Sequence, residues 1–199
     1  MGAHRRFHRR GRTFGPPLRR LRSAVGRDDR PVSRASGSTL VSAIEVVVRE
    51  AVARVKDPEI PVCTIGDLGL IETIEVSDDA VDVTLLPTFV GCPALEEIRA
   101  DAETAARDAA GGRTVRVRFT LATPWTTDRI TEAGREALRT FGIAPPGEAR
   151  LLQIAVPCPN CGSRDTTLES SFGPTKCRTI RYCNACRNPF EGFKPKGEL

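Results

Sequence analysis

Four of the seven cysteines fall in two C-x2-C pairs, Cys158-Pro159-Asn160-Cys161 and Cys183-Asn184-Ala185-Cys186, with 21 residues between them. A C-x2-C turn lets two thiolates reach one ion. Two such knuckles at this separation complete a tetrahedral four-sulfur site, the spacing of a zinc ribbon. A closed four-thiolate site holds a fold together and leaves no coordination position for chemistry. Cys92 is a different case. It sits in Gly91-Cys92-Pro93, where the pattern changes from strand to helix and Pro93 suits a first helical turn. The positive end of a helix favours thiolate and can draw a cysteine from about 8.5 to below 7.5, fit for holding iron or a cluster or for thiol exchange. A small buried hydrophobe at a crowded turn is the other reading, and the residues by themselves leave the two even.

The remaining candidates are weaker. Cys63 lies in a loop among Pro61, Val62 and Ile65, which mark it as core. Asp57, Glu59 and Asp67 are loop carboxylates suited to capping backbone N–H groups. Cys177 is the fifth cysteine of the ribbon, read as a spare thiol on the hairpin with replacement of one of the four ligands as the alternative. Phe190 and Phe193 are expected to cover the metal site, and Trp125 to pack between the domain and the next helix.

The missing residues exclude more than the present ones suggest. The two histidines, His4 and His8, both lie in an N-terminal tail. The rest of the chain can supply no histidine base, no Ser-His-Asp triad and no Glu-x-x-His di-iron pair. It also lacks the glycine-rich loops that cradle nucleotides. Neither C-x2-C pair opens the helix of a βαβ unit, which argues against a redox enzyme. These absences weigh against a self-sufficient enzyme.

The net charge of +5 conceals a division. Residues 1–37 hold eleven arginines against Asp28 and Asp29, a local +9, which leaves −4 for the rest. The tail has no helical or strand period and reads as a disordered arm, with nucleic acid an unfavoured partner. No apolar run approaches a membrane span of about 20 residues. An odd number of cysteines in mostly metal-like spacing suits a reducing cytoplasm.

The elements that must position these residues follow from periodicity. Leu40, Ile44, Val47, Val48, Ala51, Val52 and Val55 recur at helical spacing, with Ser38 or Thr39 as N-cap and Asp57-Pro58 as terminator. A loop over 57–69 precedes a hairpin, Ile71 to Val76 and Val81 to Leu85, turning at Ser77-Asp78-Asp79. Leu95, Ile98, Ala102, Ala105, Ala106 and Ala109 give the next helix a shallow apolar face, stopped by Gly111-Gly112. Val115, Val117, Phe119 and Leu121 alternate as a third strand. The order α-β-β-α-β predicts a small α+β domain with helices on one face of a short sheet. A helix over about 127–141 is expected to dock through Ile130, Ala133, Ala137, Leu138 and Phe141. A linker at Gly142 and Pro145-Pro146-Gly147 leads to a ribbon beginning near Leu151. The expected divisions are a tail over 1–37, the α+β domain over 38–124, helix and linker over 125–147, and the ribbon over 148–199.

Asp57-Pro58-Glu59-Ile60-Pro61, Asp67-Leu68-Gly69-Leu70 and Gly91-Cys92-Pro93-Ala94 resemble the signature of the SufT-like (MIP-type) iron–sulfur assembly domains. Together with the Thr123-to-Pro146 segment and the cysteine-rich end, the chain is similar to the PaaD or PaaJ family of phenylacetyl-CoA epoxidase systems. The resemblance implies a non-catalytic accessory protein of phenylacetate catabolism. Its partners would be a di-iron oxygenase subunit and a reductase with flavin and a [2Fe–2S] cluster. It implies structural zinc at Cys158, Cys161, Cys183 and Cys186. It places Cys92 at the reactive cysteine of the assembly domains, with transient iron or an iron–sulfur cluster as cargo. Cys177, within the matching Phe172-to-Cys177 run, becomes a possible additional thiol. The competing readings are a purely structural oxygenase subunit, a general iron–sulfur assembly factor, and a nucleic-acid-binding ribbon driven by the basic arm.

Overall fold

The computed structural model describes residues 35–146 and 156–194. The arginine-rich tail and the start of the ribbon near Leu151 lie outside the described residues.

Helix α1 (Ala35–Ala53) runs into the loop that Asp57-Pro58 opens. Its stripe is narrower than the periodicity suggests. Val48 and Val52 are fully buried, one turn apart, whereas Leu40 and Val47 face outward. Strands β1 (Ile71–Val76) and β2 (Ala80–Leu85) form the expected antiparallel hairpin. The Ser77 hydroxyl accepts from the Ala80 N–H at 3.0 Å inside the turn. Helix α2 (Leu95–Ala109) then carries the chain to β3 (Thr114–Phe119), which pairs parallel to β2. The three-stranded sheet has the order β1-β2-β3.

Period-two alternation decides which face is covered. Val81, Val83, Val115 and Val117 point into the core with Ile74. On the other side Asp82 pairs with Arg116 at 3.1 Å and Arg118 at 3.8 Å. Helix α2 docks through Ile98, Ala102 and Ala106, all essentially inaccessible. Their i, i+4, i+8 spacing puts two alanines on the buried stripe, so the helix axis lies close to its neighbours. At its end Gly111 and Gly112 take φ of 62° and 86°, the left-handed turn that stops a helix.

The segment after β3 departs from the expected single helix. A 3₁₀ turn over Thr127–Arg129 comes first, Ile130 is extended and buried, and α3 is confined to Glu132–Thr140. Tertiary hydrogen bonds outcompete helix here. Arg129 donates to the carbonyls of Gly69 at 2.8 Å and Ile71 at 2.9 Å, and the Thr131 N–H donates to Asp67 O at 2.9 Å. Thr131 then caps α3, accepting from the Gly134 N–H at 3.0 Å. Leu138 docks as expected, but Ala133 and Phe141 face outward, and Gly134 takes the contact position instead.

A second sheet has four strands. Strands β5 (Thr166–Ser170), β6 (Arg178–Cys183) and β7 (Pro189–Phe193) form an antiparallel meander. The residues read as linker contribute to it: β4 (Ile143–Ala144) pairs parallel to β7. Among the described residues, no helix is long and apolar enough to cross a membrane.

Candidate functional site

Two cysteine assemblies result, and they differ in kind. In the ribbon, the Cys158 turn closes through the Gly162 N–H to Cys158 O at 2.8 Å and the Cys158 N–H to Ser163 O at 2.9 Å. The second knuckle closes through the Arg187 N–H to Cys183 O at 2.8 Å. Asn184 ties the two together, its side-chain amide donating to Asp165 at 2.8 Å. The sulfurs of Cys158, Cys161, Cys183 and Cys186 all lie within 4.8 Å of one another. Cys158 and Cys186 are 3.7 Å apart, and Cys161 and Cys183 3.6 Å. Metal–sulfur bonds of about 2.3 Å in a tetrahedron require sulfurs about 3.8 Å apart, so the four thiols fit one ion. Phe190 packs on this centre with Val156 and Ala144, as expected. Phe193 does not. It lies against Trp125, with ring centroids 5.9 Å apart, in the larger core.

The crowding sets the thiols against one another. Burial raises Cys186, but the Asn188 backbone and the Cys183, Cys161 and Cys158 thiols draw it down to about 7. At Cys161 the Ser163 backbone favours thiolate, yet the neighbouring thiols and burial push it up to about 12. The first thiolate forms readily and the last does not, so a cation is what the site needs to ionise fully.

Cys92 stands in the loop between β2 and α2. Its N–H donates to Phe89 O at 3.1 Å, and its carbonyl accepts from the Leu95 N–H at 3.4 Å. Pro93 therefore lies in the turn before α2, not within the helix. The half-buried thiol is not tuned as the helix-end argument expects. Burial raises it, the carboxylates of Asp57 and Glu59 raise it further, and the hydrogen bond from the Ala94 backbone opposes them without prevailing. At neutral pH this is a protonated thiol, and a bound cation would have to displace the proton.

Cys92 opens on a cavity of about 240 Å³ whose walls come from three loop segments and from Phe193 of β7. Asp57 and Glu59 come from the 57–69 loop, Phe89 and Cys92 from the loop before α2, and Lys176 and Cys177 from the approach to β6. Asp57 does cap, as expected: its Oδ1 accepts from the N–H groups of Glu59 at 2.8 Å and Ile60 at 3.0 Å. Burial nonetheless raises its carboxyl above the usual range. Asp67 caps Thr64 in the same way, at 2.9 Å. Cys63 is core, with no exposure, and burial pushes its thiol up to about 11.

The loop is clamped from outside. The Trp125 indole N–H donates to Leu68 O at 2.8 Å. The ribbon closes the other side, where the Arg178 guanidinium donates to Glu59 O at 3.3 Å and Lys176 lies 5.1 Å above the Phe89 ring. Cys177 is buried in the same core as the α+β unit, 3.0 Å from the Thr175 hydroxyl. Residue spacing does not bring Cys177 to Cys92. Two signals single Cys177 out, a fifth cysteine left over beside four matched ones and its place in the Phe172-to-Cys177 run that carries the resemblance, and neither points to Cys92.

An α+β unit of the iron–sulfur assembly type, carrying a four-cysteine ribbon, is the class of protein that these features define. Residues 45–119 match the model described as iron–sulfur cluster assembly protein, and residues 144–194 match the PaaD zinc beta ribbon domain. The D component of the "Putative 1,2-phenylacetyl-CoA epoxidase" of Escherichia coli (strain K12) is 40% identical over 145 residues, 71% of this chain and 87% of that protein. The chain belongs to the PaaD family. An "Fe-S protein maturation auxiliary factor" of Porphyromonas gingivalis (strain ATCC BAA-308 / W83) is 37% identical over 90 residues, 45% of this chain and 82% of that one. The crystal structure of a DUF59 domain of unknown function from Bacillus anthracis is 22% identical, covers 51% of this chain and 96% of that chain, and superposes with a TM-score of 0.47.

Proposed function

We propose that the chain is a non-catalytic accessory subunit of a phenylacetyl-CoA epoxidase system, acting in the maturation of iron centres in its partners. The clients are the di-iron oxygenase subunit that carries out ring 1,2-epoxidation and the reductase with its iron–sulfur cluster. Membership of the PaaD family supports the pathway, and the likeness to a maturation factor supports the role. The observation that carries the reading is the half-buried Cys92 thiol, opening with Asp57 and Glu59 onto one cavity. Cys92 is the functional thiol, holding iron or a cluster in transit. The ion of Cys158, Cys161, Cys183 and Cys186 is zinc with a structural role, since the donor set is all thiolate and closed. The protein works in the cytoplasm, where thiols stay reduced.

The test is iron content of the partners co-produced with the Cys92→Ser chain. The expected result is a fold indistinguishable from wild type by circular dichroism, with partner iron reduced at least several-fold. Full partner iron with that variant would remove the thiol from the mechanism and leave a structural subunit.

A further inference from the structure

Cys177 is not explained by the ribbon's metal. The four ribbon sulfurs form a complete set without it, and they are the only such group of three or more ligand atoms within 4.8 Å among the described residues. Its backbone continues the pairing of β6 with β7, its carbonyl accepting from the Lys194 N–H at 2.9 Å, while its side chain is buried in the larger core that the α+β unit builds. Cys177 lines the same cavity as Cys92 and Asp57. The two cysteines reach that cavity from opposite segments of the molecule, Cys92 within the assembly-type segment and Cys177 within the ribbon segment.

We infer that the cavity is a two-thiol site for thiophilic iron, in which Cys177 supplies the second sulfur ligand to cargo held by Cys92, with the Asp57 carboxylate at its edge. This rests on the reading of Cys92 as the functional thiol. On ligation each thiol gives its proton to solvent as its sulfur bonds the metal, so two protons leave and no electrons move. The arrangement has the character of a transfer site. Two thiolates fall short of the four that close a structural centre, so a receiving protein has coordination positions to enter. Cys92, Cys177 and Asp57 do not form a ready-made ligand cluster such as the ribbon's. A single ion would therefore draw the side chains inward, whereas a binuclear iron–sulfide unit could take one thiolate on each iron. Both cargoes share the same ligand chemistry. The electrostatics agree with nearness: burial raises the Cys177 thiol, the Thr175 hydroxyl and Arg178 oppose that, and Asp57 and Cys92 both add to the rise.

The experiment uses the full chain under anaerobic conditions with Co(II) as the ion probe. The first equivalent fills the ribbon, and its thiolate-to-cobalt absorption band calibrates four sulfurs. A parallel arm supplies Fe(II) with inorganic sulfide to chain whose ribbon already holds Zn(II), and iron retained after desalting is measured. A single-ion cargo gives a second cobalt equivalent whose band is about half the first. A binuclear cargo instead gives two retained irons per chain in the sulfide arm. Either result, reduced at least tenfold in affinity or retention by Cys177→Ser and by Cys92→Ser alike, supports the site. Undiminished uptake in Cys177→Ser overturns it, as does wild-type chain that takes nothing beyond the ribbon ion in both arms. If Cys177→Ser loses the first equivalent as well, the wild-type measurements decide: a second cobalt band worth one sulfur, with no iron kept in the sulfide arm, overturns the inference. Failure here with partner iron still dependent on Cys92 would refute only the role of Cys177. Uptake that depends on both thiols, with partner iron indifferent to Cys92, would instead refute delivery.

Discussion

Cys92 and Cys63 show how little a residue type says before its surroundings are known. Both are cysteines in loops, yet Cys63 has no exposure and Cys92 opens on a cavity. The Cys63 thiol, pushed up to about 11, makes a prediction with a definite sign. The unfolded chain loses this proton near pH 8.5 and the folded chain only near 11. The folded state thus binds more protons across that interval, and stability falls as pH rises through it. Urea midpoints should hold steady up to about pH 8 and then decline. Cys63→Ala should lessen the decline by up to one proton, about 1.4 kcal/mol per pH unit. An unchanged slope would show that Cys63 ionises freely in the fold. The ribbon thiols were legible because a knuckle is a local device: two ligands within four residues fix their own geometry. The companionship of Cys92 and Cys177 was not, because it depends on the path of everything between them.

Among the elements, α3 carries the clearest lesson. Its apolar spacing extends back to Ile130 in a helix expected from about 127, but the hydrogen bonds of Arg129 and Thr131 to the 57–69 loop and to Ile71 at the start of β1 hold that stretch out of the helix. Sequence periodicity records which residues favour burial and is blind to tertiary donors that claim the backbone. Gly134 turns this into a test. Within a helix, glycine to alanine ordinarily gains about 1 kcal/mol. Here a Cβ would meet the Asp67 carbonyl oxygen at 2.7 Å, and backbone cannot swing aside as a side chain would. Gly134→Ala should therefore destabilise by about 1–3 kcal/mol, read as a lower urea midpoint with unchanged m-value. A stabilised variant would mean that α3 does not press on the loop. The hairpin of β1 and β2, the α2 stripe and its double-glycine stop followed from local pattern, because each is decided by neighbours a few residues away.

At the scale of the molecule, the ribbon and the α+β unit share one core: Cys177 and Phe193 pack with Trp125, and Arg178 reaches Glu59. Metal removal should be felt beyond the ribbon. Binding of structural zinc to small modules supplies on the order of 10–16 kcal/mol of apparent free energy. Chelation should accordingly erase amide-exchange protection in β5, β6 and β7. Protection around residues 57–60 should fall with it, while β2 and α2 stay protected. Loss confined to the ribbon strands would show that the joint contributes nothing to the loop that carries Asp57.

The pairing of β4 with β7 has a practical corollary for anyone dividing this protein. The ribbon's outermost strand is lent by residues upstream of its first cysteine, at Ile143 and Ala144. A fragment cut at residue 148 would bare the rim of β7, leaving unpaired amides and carbonyls ready to zip onto another copy. Such a piece would precipitate or self-associate even when fully metallated, whereas one begun a few residues earlier would bring its own guard rail.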